Sequence, residues 1–544
     1  MEWWKKAVIY QIYPRSFQDS NGDGVGDLRG IIQRLDYLKG GTNSLGVDAI
    51  WLSPINVSPM ADFGYDVSDY REIDPIFGDI ATFQELIAEA KKRDIKIIMD
   101  LVINHTSDQH PWFQESRQSR DSEKRDWYIW HPGKGKKAPN NWLSAFGGSA
   151  WTLDEQTGEY YYHAFGPEQP DLNWRNPQVQ EAVFSIVRYW SEMGVYGYRL
   201  DVVNCFVKDE ELRENPTRFF WGIRAMRRYD RETHIYDRNR PELHTILKRL
   251  NQVLAEQGEK MTVGEVFQEP PGTAELPASY YGDPDDELSL TFNFSFFFAN
   301  WSPRKFREII TAWEKALGED RWPCYVLSNH DFDRHSSRFS GFWSKKTQER
   351  AKLAAILLLT QRGTPFLYYG EELGMQSQSV VRKLLQDPVG KRYWPFYKGR
   401  DNARLPMCWN GDKNSGFTEA EPWLPLDKNW QSIHAEKQMQ DETSLWRTYQ
   451  TLINLRQKKS SILKGKTEFL DIPSIRVLAY TRTWEEEKVL ILLNFYSRKE
   501  KLASSISGIF SGEIIYATDC QKIGQTLDVE QLELQPYEGI VVAL

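Results

Sequence analysis

Three carboxylic acids in the sequence have neighbours that favour acid–base chemistry. Asp201 follows Arg199 by two residues, Glu265 stands between a glycine and a valine, and Asp331 follows His330. If Arg199 and Asp201 share one strand, they point to the same face, and the guanidinium should lower the pKa of the Asp201 carboxyl. A carboxylate kept ionised beside a carboxylic acid kept protonated is the arrangement that glycoside hydrolysis requires. Taken singly, each position also fits a structural ion pair.

The hydrophobic pattern predicts elements that bring these side chains together. Eight short apolar runs alternate with amphipathic helical stretches, which predicts an α/β fold of the (β/α)₈ TIM-barrel type. The runs cover residues 8–13, 47–52, 95–102, 197–203, 261–266, 288–294, 324–327 and 366–369. Polar residues at the C-terminal ends of barrel strands are typically catalytic, and here Asp201, Glu265 and Asp331 follow the fourth, fifth and seventh runs.

Two regions depart from this alternation. Residues 106–171 are rich in Trp, Gly, Pro, Ser and Asn, and they predict an irregular subdomain inserted after strand three. Residues 464–544 contain short strands separated by turns, which predicts a C-terminal all-β sandwich domain. Residues 1–105 and 172–463 are then the barrel.

Composition restricts the class of function. The chain has 544 residues and a formal net charge of −8, and so it lacks the basic character of a nucleic-acid-binding protein. The 21 Trp, 26 Tyr and 27 Phe suggest, beyond large cores, a ligand with an apolar face such as a sugar. No apolar stretch predicts a membrane segment or a signal peptide. The four cysteines show no C-x-x-C spacing, and we expect a reduced, cytoplasmic protein.

Five segments resemble signature motifs of a known enzyme family. Residues 100–105, 197–204, 264–267 and 328–331 resemble the four signature regions of the α-amylase family, glycoside hydrolase family 13. Residues 169–174 resemble the short motif of its oligo-1,6-glucosidase/α-glucosidase branch. Five motifs in the right order and spacing are very specific, and the resemblance extends over essentially the whole chain.

The resemblance implies a role for each of the three carboxylic acids. Asp201 matches the nucleophile, Glu265 the general acid/base, and Asp331 the carboxylate that stabilises the transition state. The implied mechanism is retaining, with a covalent glucosyl enzyme, and the carboxyl groups of Asp201 and Glu265 should lie roughly 5–5.5 Å apart. His105 and His330 match residues that hydrogen-bond the hydroxyls of the glucose at the cleaved end.

The resemblance also implies a substrate pocket that is closed at one end. Asp62 matches a residue that grips the terminal glucose, Tyr65 one that stacks under its ring, and Arg400 the arginine that pairs with Asp62. An Asp–Arg clamp admits only a non-reducing end, which implies an exo-acting enzyme; the alternative is a surface ion pair of little consequence. Phe165 and Gln169, from the inserted subdomain, are further candidate substrate contacts, together with its tryptophans.

The preferred linkage stays open at this point. Val202 follows the nucleophile position, where α-1,6-acting members tend to carry valine and α-1,4-acting members a smaller residue. Residues 385–401 and 229–244 instead resemble bacterial α-glucosidases. Leu405 and Cys408 depart from the usual Thr and Gln beside the clamp.

An acidic loop near the start of the chain suggests a structural metal. Asp19, Asn21, Asp23 and Asp27 alternate with small residues, as in the first half of an EF-hand loop. The branch binds Ca²⁺, or Mg²⁺, here through such side chains and the Val25 carbonyl. The alternative is a loop of Asx turns without metal.

Other functions share some of these features. Trehalose-phosphate hydrolases, trehalose synthases and sucrose isomerases use the same motifs on other leaving groups or acceptors. Heavy chains of amino-acid transporters carry an amylase-like domain but have incomplete catalytic carboxylates and an anchoring helix. A metal-dependent hydrolase built on His105 and His330 is a third reading. We expect an oligosaccharide or disaccharide substrate, no nucleic-acid or membrane partner, and a monomer or small homo-oligomer.

Overall fold

The computed structural model describes residues 1–217, 228–268, 272–283, 286–340, 346–502, 511–528 and 532–544. Eight parallel strands build its centre: β1 Ile9–Ile12, β2 Ala49–Leu52, β3 Lys96–Leu101, β4 Gly197–Leu200, β5 Met261–Gly264, β6 Leu290–Thr291, β7 Cys324–Val326 and β8 Thr364–Tyr368. Their order is β6-β5-β4-β3-β2-β1-β8-β7. A parallel bridge between Asn293 and Tyr325 closes the ring. The predicted barrel is confirmed.

Strand β6 is shorter than its apolar run predicts. It contains only two residues, because the chain turns at Asn293 into a 3₁₀ helix, Phe294–Phe298. The Asn293 side chain caps this helix by accepting a hydrogen bond from the Ser295 N–H. The longer strands are buried on both faces, as parallel strands covered by helices are.

Several of the helices that surround the barrel begin at a capping side chain, and most of them bury one apolar face. Asn176 caps Pro177–Glu192, which has proline at its first position and buries Val183, Val187 and Trp190 on one face. The long helices are Ile80–Lys92, Pro177–Glu192, Glu242–Ala255, Pro303–Leu317, Thr347–Leu359 and Leu445–Lys458. Shorter ones are Trp3–Lys6, Leu28–Gln33, Leu35–Leu38, Pro111–Ser116, Glu275–Ser279, His335–Arg338, Pro388–Tyr393, Trp430–Ile433, Ala435–Gln440 and Ser460–Lys464. No helix in the described ranges is long and apolar enough to cross a membrane.

Between β3 and helix Pro177–Glu192 lies the inserted region. It contains a three-stranded antiparallel sheet in the order Trp130–His131, Glu159–Tyr162, Trp151–Asp154. Trp142 and Trp151 are buried in its own small core. These two buried tryptophans therefore stabilise the inserted region.

The C-terminal region is an antiparallel six-stranded sheet with a second, two-stranded sheet. The six strands follow the order Lys466–Phe469, Val477–Trp484, Glu487–Asn494, Gly539–Ala543, Ser511–Ala517, Thr526–Asp528. Glu500–Lys501 pairs with Glu533–Leu534. The predicted C-terminal all-β domain is confirmed.

Helix Thr347–Leu359 lies between the barrel and the C-terminal sheet. Its buried residues belong to one apolar cluster with Ile491 and Val541 of that sheet. The backbone of Gly539 comes so close to Ile356 and Leu353 that any Cβ there would collide with them. The barrel and the C-terminal domain thus share one continuous core.

Candidate active site

A cleft of about 1740 Å³ opens at the C-terminal ends of the barrel strands. It is lined by nine of the residues that the sequence predicts: Asp62, Tyr65, His105, Phe165, Gln169, Asp201, Glu265, Asp331 and Arg400. Arg199 and His330 are fully buried beside these side chains. No tryptophan of the described residues lines the cleft, so the expectation that the inserted subdomain stacks sugars with tryptophan is wrong. The aromatic side chains that the inserted subdomain contributes are Phe146 and Phe165.

The Arg199 guanidinium joins the carboxylic acids of strands β3, β4 and β5. Its Nη1 donates to Asp201 Oδ1 at 2.6 Å and to Asp100 Oδ1 at 2.8 Å, and its Nη2 donates to Glu265 Oε2. Asp100 also accepts from Trp51 Nε1 at 3.2 Å, and so it supports the site from behind, as the sequence suggests. Because the guanidinium is rigid and planar, it fixes the relative positions of these carboxyl groups.

The pKa values of Asp201 and Glu265 are both raised. Burial raises the pKa of Asp201 to about 7, although the Arg199 charge lowers it. Burial, with the negative charges of Asp201 and Asp331, raises the pKa of Glu265 to about 8. The expectation that Arg199 holds the pKa of Asp201 low is therefore wrong, because desolvation outweighs the guanidinium. The charge of Asp201 itself raises the pKa of Glu265, so an ionised Asp201 favours a protonated Glu265.

Asp331 has the opposite electrostatic environment. Arg404 Nη2 donates to its Oδ1 at 2.9 Å, and Arg400 Nη1 lies 3.6 Å from the same oxygen. Burial raises the pKa of Asp331, but His330, Arg400 and Arg404 outweigh it and bring the pKa well below its usual range. This carboxylate stays ionised across physiological pH.

His330 is held as a neutral ring. Gln11 Nε2 donates to its Nδ1 at 2.8 Å, which leaves the proton on Nε2, 2.6 Å from the Tyr65 hydroxyl. Burial lowers the pKa of His330 to about 3. The Tyr65 ring stacks on the imidazole at a centroid distance of 5.3 Å, and its hydroxyl donates to Asp100 Oδ2 at 3.0 Å. Gln11 is missed by the sequence analysis, although a polar residue within an apolar strand is a signal.

His105 and Gln169 meet at the Tyr65 backbone. His105 Nε2 lies 2.8 Å from the Tyr65 carbonyl oxygen, and Gln169 Nε2 donates to that oxygen at 3.0 Å and to Asp62 Oδ2 at 3.3 Å. The Phe165 ring lies 5.3 Å from the His105 ring. The inserted subdomain thus contributes both a polar and an aromatic side chain to one wall of the cleft.

A buried ion pair anchors this wall. Lys208 Nζ contacts Asp171 Oδ2 and donates to Asn104 Oδ1 at 3.0 Å. Asn104 Nδ2 donates to Asp171 at 2.8 Å and lies 3.1 Å from His105 Nδ1. These side chains join the end of β3, the end of the inserted region and the loop after β4.

Arg400 lies between two carboxylates. Its Nη2 donates to Asp62 Oδ1 at 2.5 Å and to Asp387 Oδ1 at 2.6 Å, and its Nε donates to Asp387 at 2.8 Å. The predicted pairing of Asp62 with Arg400 is present and is buried. Sequence reasoning assigned no role to Asp387, which also caps helix Pro388–Tyr393 through Gly390 N. Sequence reasoning also assigned no role to Arg404.

The inserted region approaches helix Pro388–Tyr393 at the end of the cleft that holds Arg400. Gly147 and Gly148 have positive φ values of 98° and 86°. A Cβ on Gly147 would lie 1.9 Å from the Tyr393 hydroxyl, so only glycine allows the loop to approach helix Pro388–Tyr393. The Arg400 guanidinium packs 5.3 Å from the Phe146 ring. The inserted region and this helix therefore meet beside the clamp, where Phe146 and Tyr393 both line the cleft.

Val202 has a backbone conformation that is rare for a β-branched residue. Its φ is 38° and its ψ 45°, in the left-handed region. This conformation places its N–H 3.4 Å from Glu265 Oε2 and its side chain against the cleft. Leu405 and Cys408, which depart from the branch pattern, are both fully buried. Arg404 nevertheless donates to the His330 carbonyl at 2.9 Å.

The acidic loop forms a tight curl of side chain–backbone hydrogen bonds. Asp19 accepts from the N–H groups of Asn21, Gly22 and Gly24 at 2.8–2.9 Å. Asn21 Nδ2 donates to Asp23 at 3.2 Å, and Asp27 caps helix Leu28–Gln33. The part of the chain that the structure describes contains no group of three His, Cys, Asp or Glu that could hold a metal ion. A metal ion bound to this loop would therefore need the Asn21 side chain and the Val25 carbonyl as ligands in addition to the carboxylates.

Comparison with known proteins gives consistent matches along the chain. A model of the α-amylase catalytic domain matches residues 11–465. The oligo-1,6-glucosidase of Parageobacillus thermoglucosidasius is 39% identical over 569 residues, covering 99% of this chain and 98% of that protein. A probable α-glucosidase of Rhizobium meliloti (strain 1021) is 43% identical over 503 residues, covering 91% and 89%. The crystal structure of the α-glucosyl transfer enzyme XgtA matches with a TM-score of 0.92 and 38% identity, covering 100% of this chain and 99% of XgtA.

Proposed function

The chain belongs to the α-amylase family, and on that premise we propose that it is a retaining, exo-acting α-glucosidase. It releases α-glucose from the non-reducing end of short malto- or isomalto-oligosaccharides. The observation that carries this proposal is the placement of the Arg199-bridged pair, Asp201 and Glu265, in a cleft whose end is closed by Asp62 and Arg400.

The charges around the two carboxyl groups support a double displacement. Glu265, whose pKa the Asp201 charge raises, donates its proton to the glycosidic oxygen while the Asp201 carboxylate attacks the anomeric carbon. Asp331 remains ionised and stabilises the positive charge that develops on the sugar ring. Glu265, now a base, takes a proton from water, which releases α-glucose and frees Asp201.

The closed end supports exo action. Asp62 and Arg400 hydrogen-bond the terminal glucose, Tyr65 stacks beneath its ring, and His105, Gln169 and Phe165 face it from the inserted subdomain. Arg199 positions Asp201, and His330 positions Tyr65. A longer glucan would have to displace the buried Asp62–Arg400 pair to pass this end of the cleft.

Charge on the cleft favours a neutral sugar over a phosphorylated one. Seven carboxylic acids, Asp62, Asp201, Asp230, Glu265, Glu308, Asp331 and Asp333, line it against three cations, Lys305, Lys398 and Arg400. Such a surface repels an anionic substrate, which weighs against a trehalose-phosphate hydrolase. The alternative that remains is glucosyl transfer to a sugar, which the similarity to an α-glucosyl transfer enzyme supports.

Product analysis tests the proposal. The protein is incubated with maltose, isomaltose, trehalose, trehalose 6-phosphate and sucrose, and the first products are followed by NMR. We expect α-glucose from maltose or isomaltose, and their relative rates give the linkage preference. An isomeric disaccharide formed without glucose would contradict hydrolysis. Asp201→Ala should abolish turnover while the protein still folds, as judged by circular dichroism, whereas Asp471→Ala, a surface change in the C-terminal domain, should leave turnover intact.

We further propose that the acidic loop binds one structural Ca²⁺, or Mg²⁺, through Asp19, Asn21, Asp23, Asp27 and the Val25 carbonyl. These oxygen atoms suit a hard cation. None of these five residues lines the cleft, so the ion would contribute stability and no chemical step. The four free thiols are compatible with a cytoplasmic location, which is part of the same proposal.

A further inference from the structure

A surface that is both cationic and apolar lies on the chain segment that follows β8. It is formed by two stretches, residues 381–384 and 391–398. Lys398 Nζ donates to Ser379 Oγ at 2.6 Å, and this hydrogen bond joins the two stretches. Three large apolar side chains are exposed here: Val381 by 53%, Leu384 by 40% and Phe396 by 79%. We call the exposed side chains of the two stretches the cationic patch.

The patch carries a charge opposite to that of the whole protein. The chain has a formal net charge of −8, whereas the only carboxylate in residues 377–399 is Asp387. Asp387 is buried and accepts hydrogen bonds from Arg400, so it does not neutralise the surface. The exposed cations of the segment are Arg382, Lys383, Lys391, Arg392 and Lys398. Within the part of the chain that the structure describes, none of these cations forms an ion pair.

The backbone beneath the patch has a fixed conformation. Leu385 and Val389 are buried below it, and Asp387 caps helix Pro388–Tyr393 by accepting from Gly390 N at 2.8 Å. A Cβ on Gly390 would lie only 2.8 Å from the Lys398 carbonyl oxygen, so the two stretches pack closely. The exposed apolar side chains therefore project from an ordered base, and contact with another surface would remove them from water.

A lipid surface fits these features better than a folded protein does. A fluid bilayer admits a side chain as exposed as Phe396 without a matching pocket. Apolar side chains beside Lys and Arg bind the interface of anionic membranes, where the cations lie near the lipid phosphates. Tyr393 and Trp394, half-buried between the cations, are residue types enriched at membrane–water interfaces. The sequence expectation of no membrane partner rested on the lack of a spanning segment, and a peripheral contact requires none.

We propose that the cationic patch docks the protein on an anionic phospholipid surface. Val381, Leu384 and Phe396 enter the headgroup region, and the surrounding cations contact the lipid phosphates. Phe396 and Lys398 also line the cleft, so the docked membrane lies beside the mouth of the cleft. This inference is independent of the proposed reaction, because no proposed catalytic residue takes part in the contact.

Cosedimentation with vesicles at about 0.1 M salt tests the proposal. We expect vesicles that contain phosphatidylglycerol to bind the protein about tenfold or more tightly than vesicles of phosphatidylcholine alone. Arg382→Glu combined with Lys383→Glu should lower this affinity by about tenfold or more. The matched control is Lys91→Glu with Lys92→Glu, two exposed cations that precede β3 at the opposite end of the barrel. It changes the net charge equally and should leave the affinity within about threefold.

A second pair of variants tests the apolar contact. Phe396→Ser should weaken binding to the anionic vesicles by about tenfold or more, whereas Ile475→Ser, at an exposed site of the C-terminal domain, should not. Circular dichroism verifies that each variant folds. Equal binding to both kinds of vesicle, equal loss in the two charge-reversed variants, or full binding by Phe396→Ser would overturn the proposal. Binding to polyglutamate without binding to vesicles would overturn it as well, since the patch would then recognise an acidic polypeptide.

Discussion

Arg400→Met is the most informative single change in the clamp. Methionine approximates the length of the side chain but removes the guanidinium, which hydrogen-bonds Asp62 and Asp387. Both carboxylates are buried, and in the variant they have no cation in direct contact. Desolvation already raises the pKa of Asp62 although Arg400 is present, so its pKa should rise further in the variant.

Two magnitudes follow from this geometry. Removing one partner of a buried ion pair typically costs about 3–5 kcal/mol, and we expect the lower end because Asp387 keeps the Gly390 N–H bond. Losing one charge-assisted hydrogen bond to the substrate costs about 1.5–3 kcal/mol, which lowers kcat/KM by about 10- to 150-fold. The stability loss should shrink as the pH falls towards 5, because protonation relieves the unpaired carboxylates.

Urea unfolding at pH 5 and pH 8, together with maltose kinetics, measures these effects. Arg307→Met is the matched control, since Arg307 pairs with Asp471 at 2.7 Å but both side chains are exposed. It should change stability by about 0–1 kcal/mol and leave kcat/KM unchanged. A stability loss in Arg400→Met that is the same at both pH values, or as small as in the control, would refute the reasoning.

Three further outcomes are expected. Glu265→Gln should gain stability relative to the parent as the pH rises from 4.5 to about 8, and its advantage should stay constant at higher pH. Burial raises the pKa of Glu265 from 4.5 to about 8, so in this window the unfolded parent has released a proton that the folded parent still binds; a difference independent of pH would contradict this. Lys208→Met should lower the free energy of unfolding by about 3–5 kcal/mol, against less than about 1 kcal/mol for Lys124→Met in the inserted subdomain, where Lys124 pairs with the exposed Glu115. Asp23→Ala, or chelation of the parent protein, should lower the melting temperature without changing kcat at 25 °C; unchanged melting would argue against the metal.

The barrel and its carboxylic acids could be predicted because local patterns mark them. Asp201, Glu265 and Asp331 each follow an apolar run, and a strand end is visible as the point where such a run meets a charged residue. Strand β6 was less predictable, since its run continues into the phenylalanines of a 3₁₀ helix. Hydrophobicity alone does not distinguish these two conformations.

Asp387 and the pKa of Asp201 could not be predicted for different reasons. Asp387 precedes Arg400 by 13 residues, with the short helix Pro388–Tyr393 between them, and no periodicity indicates that the two side chains meet. The sequence shows the arginine that lowers the pKa of Asp201, but it does not show how completely the carboxyl is buried. Desolvation depends on the assembled fold, and here it outweighs the nearest charge.

The continuous core beneath helix Thr347–Leu359 has a consequence during synthesis. Strand Gly539–Ala543 occupies the middle of the C-terminal sheet, between Glu487–Asn494 and Ser511–Ala517, yet it follows both of them in the chain. Until this strand leaves the ribosome, the helix lacks the backbone that covers Leu353 and Ile356. The nascent barrel therefore displays an apolar surface that chaperones can recognise, and its folding finishes only after translation has passed the final strand.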